Sequence, residues 1–286
     1  MNAPFSYYGA KNRMSGMIIN YAPSNIGLYL EGFFGSGAVF FARRKWADVE
    51  VVNDLNSDIV NFFRVLRDKP EQLSAKLALM PFSREEMRAS DEVLKSEAAD
   101  DVTKATYFFV RAEQSFSGTA HGWRVASPRS NNVTDWRSQS RPDRIAALSK
   151  RLLRAHIENR PALDAMKAYD DPNTFMYLDP PYLSVVNADA KKRAYQNIDM
   201  LEDMHKEFIA VCLEMRAKII ISGYEHPLYG ELVKAGWNRI EHVTTAQLSQ
   251  RRGVQSTKAA MARTEVLWLS PNILGKSYAQ ISIFTE

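Results

Sequence analysis

A single cysteine, Cys212, among 286 residues excludes an internal disulfide and a cysteine-built zinc centre. It falls in the apolar-periodic run Phe208 to Leu213, which reads as a buried helix position. The five histidines, His121, His156, His205, His226 and His242, show no metal-ligand spacing, and the paired His-x-Glu and Pro-Cys-x-x-Cys of zinc deaminases are missing. No Gly-x-x-x-x-Gly-Lys-[Ser/Thr] loop occurs, so ATP-driven restriction or helicase chemistry is not expected of this chain. No window is long and apolar enough to span a membrane, and Met1 to Tyr8 lacks a basic-then-apolar build. The expectation is a chain without a membrane partner in a reducing compartment such as the cytoplasm. Net charge is also small, only +4, but it is unevenly spread. Residues 111–160 hold ten Lys/Arg against four Asp/Glu, which points to one localised polyanion-facing stretch rather than general stickiness.

What is present first is an alternation of strands and helices. Ile26 to Leu30 reads as a buried strand running into Glu31-Gly32-Phe33-Phe34-Gly35-Ser36-Gly37, followed by helical Ala38 to Arg44. Val49 to Asp54 is a second strand ending on an acid, and Asn56-Ser57-Asp58 caps a helix over Ile59 to Leu66. From Asp68 to about Arg154 strand signals fade into charged helical stretches, Arg84 to Leu94 and Arg144 to Leu153 among them. Ser115 to Arg141, with Gly118, Gly122, Pro128 and Asn131-Asn132, reads as loops. Strand patterning returns at Thr174 to Leu178 and Lys218 to Gly223, with a helix over Glu202 to Met215 and further strands through Val266 to Leu269.

Three segments carry chemistry. The glycines of Glu31 to Gly37 suit a sharp strand-to-helix turn with room for a ligand against the backbone. Asp54, at the end of the next strand, stands where an acid accepts hydrogen bonds from ribose hydroxyls, so the pair suggests an adenosine-type ligand. The third is Asp179-Pro180-Pro181-Tyr182, directly after a strand. Each of its first two residues precedes a proline and is driven to extended backbone. The two prolines lack N–H groups, so this stiff turn offers carbonyl oxygens and the Asp179 carboxylate as fixed acceptors, with the Tyr182 ring as a flat wall. Two acceptors match the two hydrogens of a planar exocyclic amine. Accepting both favours a more pyramidal adenine N6 whose lone pair can attack a sulfonium methyl, and a duplex base must be flipped out to reach such a site.

These segments, in this order, resemble the Dam-type (D12, class α) DNA adenine-N6 methyltransferases. Tyr7-Tyr8-Gly9-Ala10-Lys11 is similar to that family's N-terminal cofactor segment, Glu31 to Gly37 to its cofactor loop, Asn53-Asp54 to its ribose-binding acid and Asp179 to Tyr182 to its catalytic loop. Two departures occur: Gly32 stands where proline is usual, and Asn159-Arg160-Pro161 where an Asp-Phe or similar pair commonly follows the third strand. The resemblance implies S-adenosylmethionine as cofactor, held by Tyr7, Lys11, Glu31, Phe33, Phe34, Gly35, Ser36, Gly37, Asp54, Asn159 and Asp179, with Lys11 on the methionine carboxylate. It implies catalysis by Asp179, Pro180, Pro181 and Tyr182.

The fold expected is α/β, a Rossmann-like methyltransferase core over 1–66 and 155–286, with a helical target-recognition insertion over 67–154. Double-stranded DNA is the expected partner, met through Arg124, Arg129, Arg137, Arg141 and Arg144 and a second basic loop with Arg251, Arg252 and Lys258. Trp123 and Trp136 are read as packing rather than stacking residues. No metal is expected. The function expected is site-specific methylation of adenine N6 in duplex DNA, in a restriction-modification or related setting. Alternatives are the same chemistry on RNA adenine or on cytosine N4, a catalytically silent cofactor-bound DNA-binding protein, and an NAD enzyme using the glycine turn.

Overall fold

The computed structural model describes residues 1–7, 9, 11–12, 14–115, 122–125, 131–181, 200, 202–244 and 263–273. It divides into two compact units, one of Met1–Tyr21 with Ile26–Ala165, the other of Ala22–Asn25 with Met166–Glu286. Seven strands make one mostly parallel sheet, the Rossmann-like arrangement that the alternating pattern predicts.

In the first unit the strand order is β3 (Ala155–Glu158), β2 (Val49–Asn53), β1 (Leu28–Glu31), all parallel, with Leu28 opposite Val49 and Glu50 opposite Ala155. Helices α1 (Ser15–Tyr21) and α2 (Ala38–Ala42) flank β1 in the chain. Helix α3 (Ser57–Asp68) starts as predicted at Asn56, whose side chain accepts the Asp58 N–H, and buries Ile59, Phe62, Phe63 and Leu66 on one face. The core here is aromatic. Phe34 and Phe63 lie 4.5 Å apart, and Phe5 from the N-terminal segment reaches Phe62 and Phe108, each at 5.1 Å.

Between α3 and β3 the chain is helical: α4 (Pro70–Leu79), α5 (Arg84–Lys95), α6 (Asp101–Gln114), α7 (Asn132–Gln139) and α8 (Pro142–Leu152). All five belong to the same compact unit as β1 to β3. Their ends follow local chemistry. Pro70 and Pro142 occupy first-turn positions where no N–H is needed, and Ser83 and Asp100 cap α5 and α6. The loop expected over Ser115 to Arg141 is interrupted by α7. The Asn131-Asn132 pair that read as a breaker is its start, with the Asn131 side chain accepting from Thr134 N–H at 3.1 Å. Trp136 then anchors the helix in the core, its indole N–H donating to the Met80 carbonyl at 3.1 Å. Helix α8 is tied to β2 by a buried pair, the Arg151 guanidinium donating to both Glu50 oxygens at 2.6 and 2.8 Å.

In the second unit the order is β4 (Thr174–Leu178), β5 (Lys218–Tyr224), β7 (Arg263–Leu269), β6 (Asn238–Thr244). Strands β4 and β5 are parallel, and β7 is antiparallel to both of its neighbours. Every residue of β4 is buried, in keeping with its unbroken apolar run. Helix α9 (Ala162–Ala168) precedes β4, α10 (Glu202–Glu214) precedes β5, and a 3-10 turn (Pro227–Tyr229) leads into α11 (Gly230–Lys234). Cys212 is buried in α10, as its run predicts. No described helix is long and apolar enough to cross a membrane.

Candidate functional site

The glycine loop leaves β1 at Glu31, whose buried carboxylate accepts the Tyr29 hydroxyl at 2.7 Å. Gly35 and Gly37 have φ of +51° and +69°, left-handed values that favour glycine. Both positions are also crowded. A Cβ on Gly37 would come within 2.7 Å of the Phe34 ring, and one on Gly35 within 3.3 Å of the Tyr7 ring. Tyr7 therefore lies against the glycine turn. Phe34 itself is buried in the aromatic core, Phe33 is half-buried and Ser36 buried.

The loop is fastened from β2. The Gly35 N–H donates to Asp54 Oδ2 at 2.7 Å, and Asp54 Oδ1 accepts from Asn56 N–H at 2.9 Å. Burial pushes the Asp54 carboxyl above its ordinary range, while the backbone donors of Asn56 and Gly35 pull it back. Desolvation of the hydroxyl, and then the Asp54 carboxylate, raise the Tyr7 phenol to about 12, although the residue as a whole is 37% exposed. Lys11 is buried at 4% exposure, against the usual preference of lysine for water, and its ammonium donates to the Gly9 carbonyl at 3.0 Å.

Asn53, fully buried, acts as a clip. Its amide donates to the carbonyls of Gly32 and Arg160 at 3.1 and 3.0 Å and accepts from the Arg160 N–H at 3.2 Å. Asn159, exposed at the end of β3, donates to the Asp54 and Leu55 carbonyls at 2.8 and 3.1 Å and accepts from Ser57. The three strand ends are thus linked through asparagine amides. Asn53, which precedes the expected ribose-binding acid Asp54, fixes the loops, and Asp54 holds the glycine turn.

In the second unit β4 delivers Asp179 at its C-terminal end, followed by Pro180 and Pro181. Asp179 Oδ1 accepts the Ser222 hydroxyl at 2.8 Å, and Ser222 Oγ lies 2.8 Å from the Tyr177 hydroxyl. At the other end of the turn His205 Nε2 sits 2.9 Å from the Pro181 carbonyl, with the Tyr229 hydroxyl 3.2 Å from Nδ1. A carbonyl can only accept, so Nε2 carries the hydrogen and Nδ1 accepts from Tyr229. Burial lowers the His205 pKa and keeps the ring neutral. The Tyr229 ring stacks on Trp268 at 4.3 Å, and burial drives its phenol well above the usual range. Tyr182 lies outside the described residues.

Of the expected DNA contacts, Arg129, Arg251, Arg252 and Lys258 lie outside the described residues. Arg137 and Arg141 are exposed on and beside α7 and α8; Arg137 donates to the Ala78 carbonyl at 2.8 Å and Arg141 pairs with Asp143 at 3.1 Å. Arg124 pairs with Asp135. Arg144 is half-buried, its guanidinium holding the Ala3 carbonyl, and burial lowers its pKa. Trp136 packs, as expected, and Trp123 lies 4.8 Å from Phe82. Among the described residues no acid, histidine or cysteine cluster could hold a metal.

Sequence reading missed Ser222, His205 and Tyr229, and the clip role of Asn53. The available signals were a serine closing an isoleucine run and a histidine on the apolar side of α10. Over residues 7–247 the chain matches the family model of the D12 class N6 adenine-specific DNA methyltransferases. It is 27% identical over 252 residues to the type II methyltransferase M1.LlaDCHI of Lactococcus lactis subsp. cremoris, an overlap spanning 81% of this chain and 84% of the relative.

Proposed function

The chain belongs to the D12 class N6 adenine-specific DNA methyltransferases and methylates adenine N6 in DNA, and on that premise we propose how its residues divide the work. RNA adenine, cytosine N4, a silent binding role and NAD chemistry are not favoured by this membership. The cofactor is S-adenosylmethionine, which supplies an electrophilic sulfonium methyl group.

The donor set of the first unit fits it. The Asp54 carboxylate is held by the backbone donors of Gly35, Asn56 and Leu55 and, with about four lone-pair sites, retains capacity for a ribose hydroxyl. The buried Lys11 ammonium suits the amino-acid carboxylate, and Tyr7, Glu31, Phe33 and the Phe34 to Gly37 backbone line the remaining surface. Asn159 is the polar group at the third strand end nearest in role to an adenine-ring contact.

In the second unit the Asp179 carboxylate and the Pro180 carbonyl accept the two N6 hydrogens of an extruded adenine, and Tyr182 stacks on its ring. Positioning and electrostatics then lower the barrier, the nitrogen lone pair being freed for in-line attack. The helical insertion over 67–154 reads the target, with Arg137 and Arg141 on phosphates. A restriction-modification setting is supported by the type II relative.

The observation that carries this reading is the fixed Asp179 carboxylate directly after a fully buried strand and before two prolines. Titration calorimetry tests the cofactor half. S-adenosylmethionine binds and NAD does not, and Asp54→Ala weakens binding by about tenfold to a hundredfold, the worth of hydrogen bonds to a charged group. Equal affinity of the variant and the parent protein removes Asp54 from the site.

A further inference from the structure

We propose that Ser222 is a positioning residue for methyl transfer: its hydroxyl, loaded from behind by Tyr177, holds Asp179 so that the carboxylate meets the adenine amine as a fixed acceptor. This rests on the role given to Asp179 above.

The alignment is dictated by the sheet. Strands β4 and β5 pair in parallel with Tyr177 opposite Ile220 and Leu178 opposite Ile221. One step further along the same register brings Asp179 alongside Ser222. Side chains alternate across a strand, so Tyr177 and Asp179 share a face, as do Ile220 and Ser222. The three polar groups therefore form a row, Tyr177 Oη to Ser222 Oγ at 2.8 Å and Ser222 Oγ to Asp179 Oδ1 at 2.8 Å.

The direction of the row follows from counting protons. A serine hydroxyl has one hydrogen, and it goes to the carboxylate; the Tyr177 hydroxyl must then donate to Ser222. Both protons point towards Asp179. Tyr177 is 1% and Ser222 0% exposed, so the donor end of the row is buried. A donor held against Oδ1 fixes the plane of the carboxylate, so Asp179 meets the amine as an oriented acceptor. Chains of this kind polarise one another, so Tyr177 strengthens the donor that Ser222 presents.

A purely structural role for Ser222 would be to satisfy the buried Tyr177 hydroxyl, and the two roles separate in a double variant. Single-turnover transfer to duplex DNA is measured at saturating S-adenosylmethionine, alongside the Kd of each ligand and the melting temperature. Ser222→Ala lowers the transfer rate by about tenfold, the worth of one hydrogen bond to a charge, with both Kd values within about twofold. Ser222→Thr, which keeps the hydroxyl, restores most of the rate. Tyr177→Phe with Ser222→Ala leaves no orphaned hydroxyl and regains melting temperature, but its rate stays low. The proposal is overturned if the rate of the double variant recovers with its stability, or if Ser222→Ala transfers at the parental rate while Asp179→Ala does not. Parental transfer by Asp179→Ala overturns the reading of the loop, and this inference with it.

Discussion

At the scale of the residue, polar side chains in this protein mostly act on backbone. Asp54 closes the glycine turn, Asn53 and Asn159 link strand ends, and His205 reaches the Pro181 carbonyl. His205 has the most testable consequence. Burial lowers its folded pKa below the ordinary value of 6.5, so as pH falls through that value the unfolded chain takes up a proton that the folded chain refuses. Stability contributed by the neutral ring is present above pH 6.5 and is lost as pH falls towards the folded pKa. Melting temperatures should therefore drop between pH 7 and pH 5 more steeply in the parent than in His205→Gln, whose amide can still donate to Pro181. Parallel curves would place no titrating weight on His205.

At the scale of the element, the loop between β1 and α2 shows why the glycine pattern is tight. Gly37 combines a φ of +69° with a Phe34 ring that a Cβ would approach to 2.7 Å, and the ring is fixed in the aromatic core. Gly37→Ala should lower unfolding free energy by about 1–3 kcal/mol, through backbone strain and overpacking, measured by chemical denaturation. A change within about 0.5 kcal/mol would mean the loop relaxes freely.

Strands β1, β4 and β5 were legible because buried parallel strands are apolar runs, β2 from the valines around Glu50 and the acid that follows it, and the Asn56 cap of α3 because its chemistry is local. Helix α7 was not, since asparagines read as breakers also start helices, and the deciding term is the burial of Trp136, a tertiary contact. The Asp179 loop was legible from its prolines. The row behind it was not: Ser222 lies 43 residues along the chain, and only strand register brings the two together.

At the scale of the whole molecule, the basic stretch over 111–160 separates into cations of different use. Arg151 spends its charge on Glu50 in the core and Arg144 on the N-terminal segment, so neither counts fully towards a polyanion surface. Arg137 and Arg141 stay exposed. Replacing either with alanine should weaken duplex binding and reduce the slope of log K against log salt by about 1, as expected for one lost phosphate contact. An unaltered slope would move the DNA surface elsewhere.

The central claim is that the corner beginning at Asp179 grips the amino group of adenine. Its most direct measurement is single-turnover transfer of labelled methyl to duplex DNA by Asp179→Ala at saturating cofactor and DNA, with N6-methyladenine as the quantified product. A loss of at least about a hundredfold is expected, as for other oriented polar groups at reacting atoms, with S-adenosylmethionine still bound. Transfer at the parental rate would contradict it.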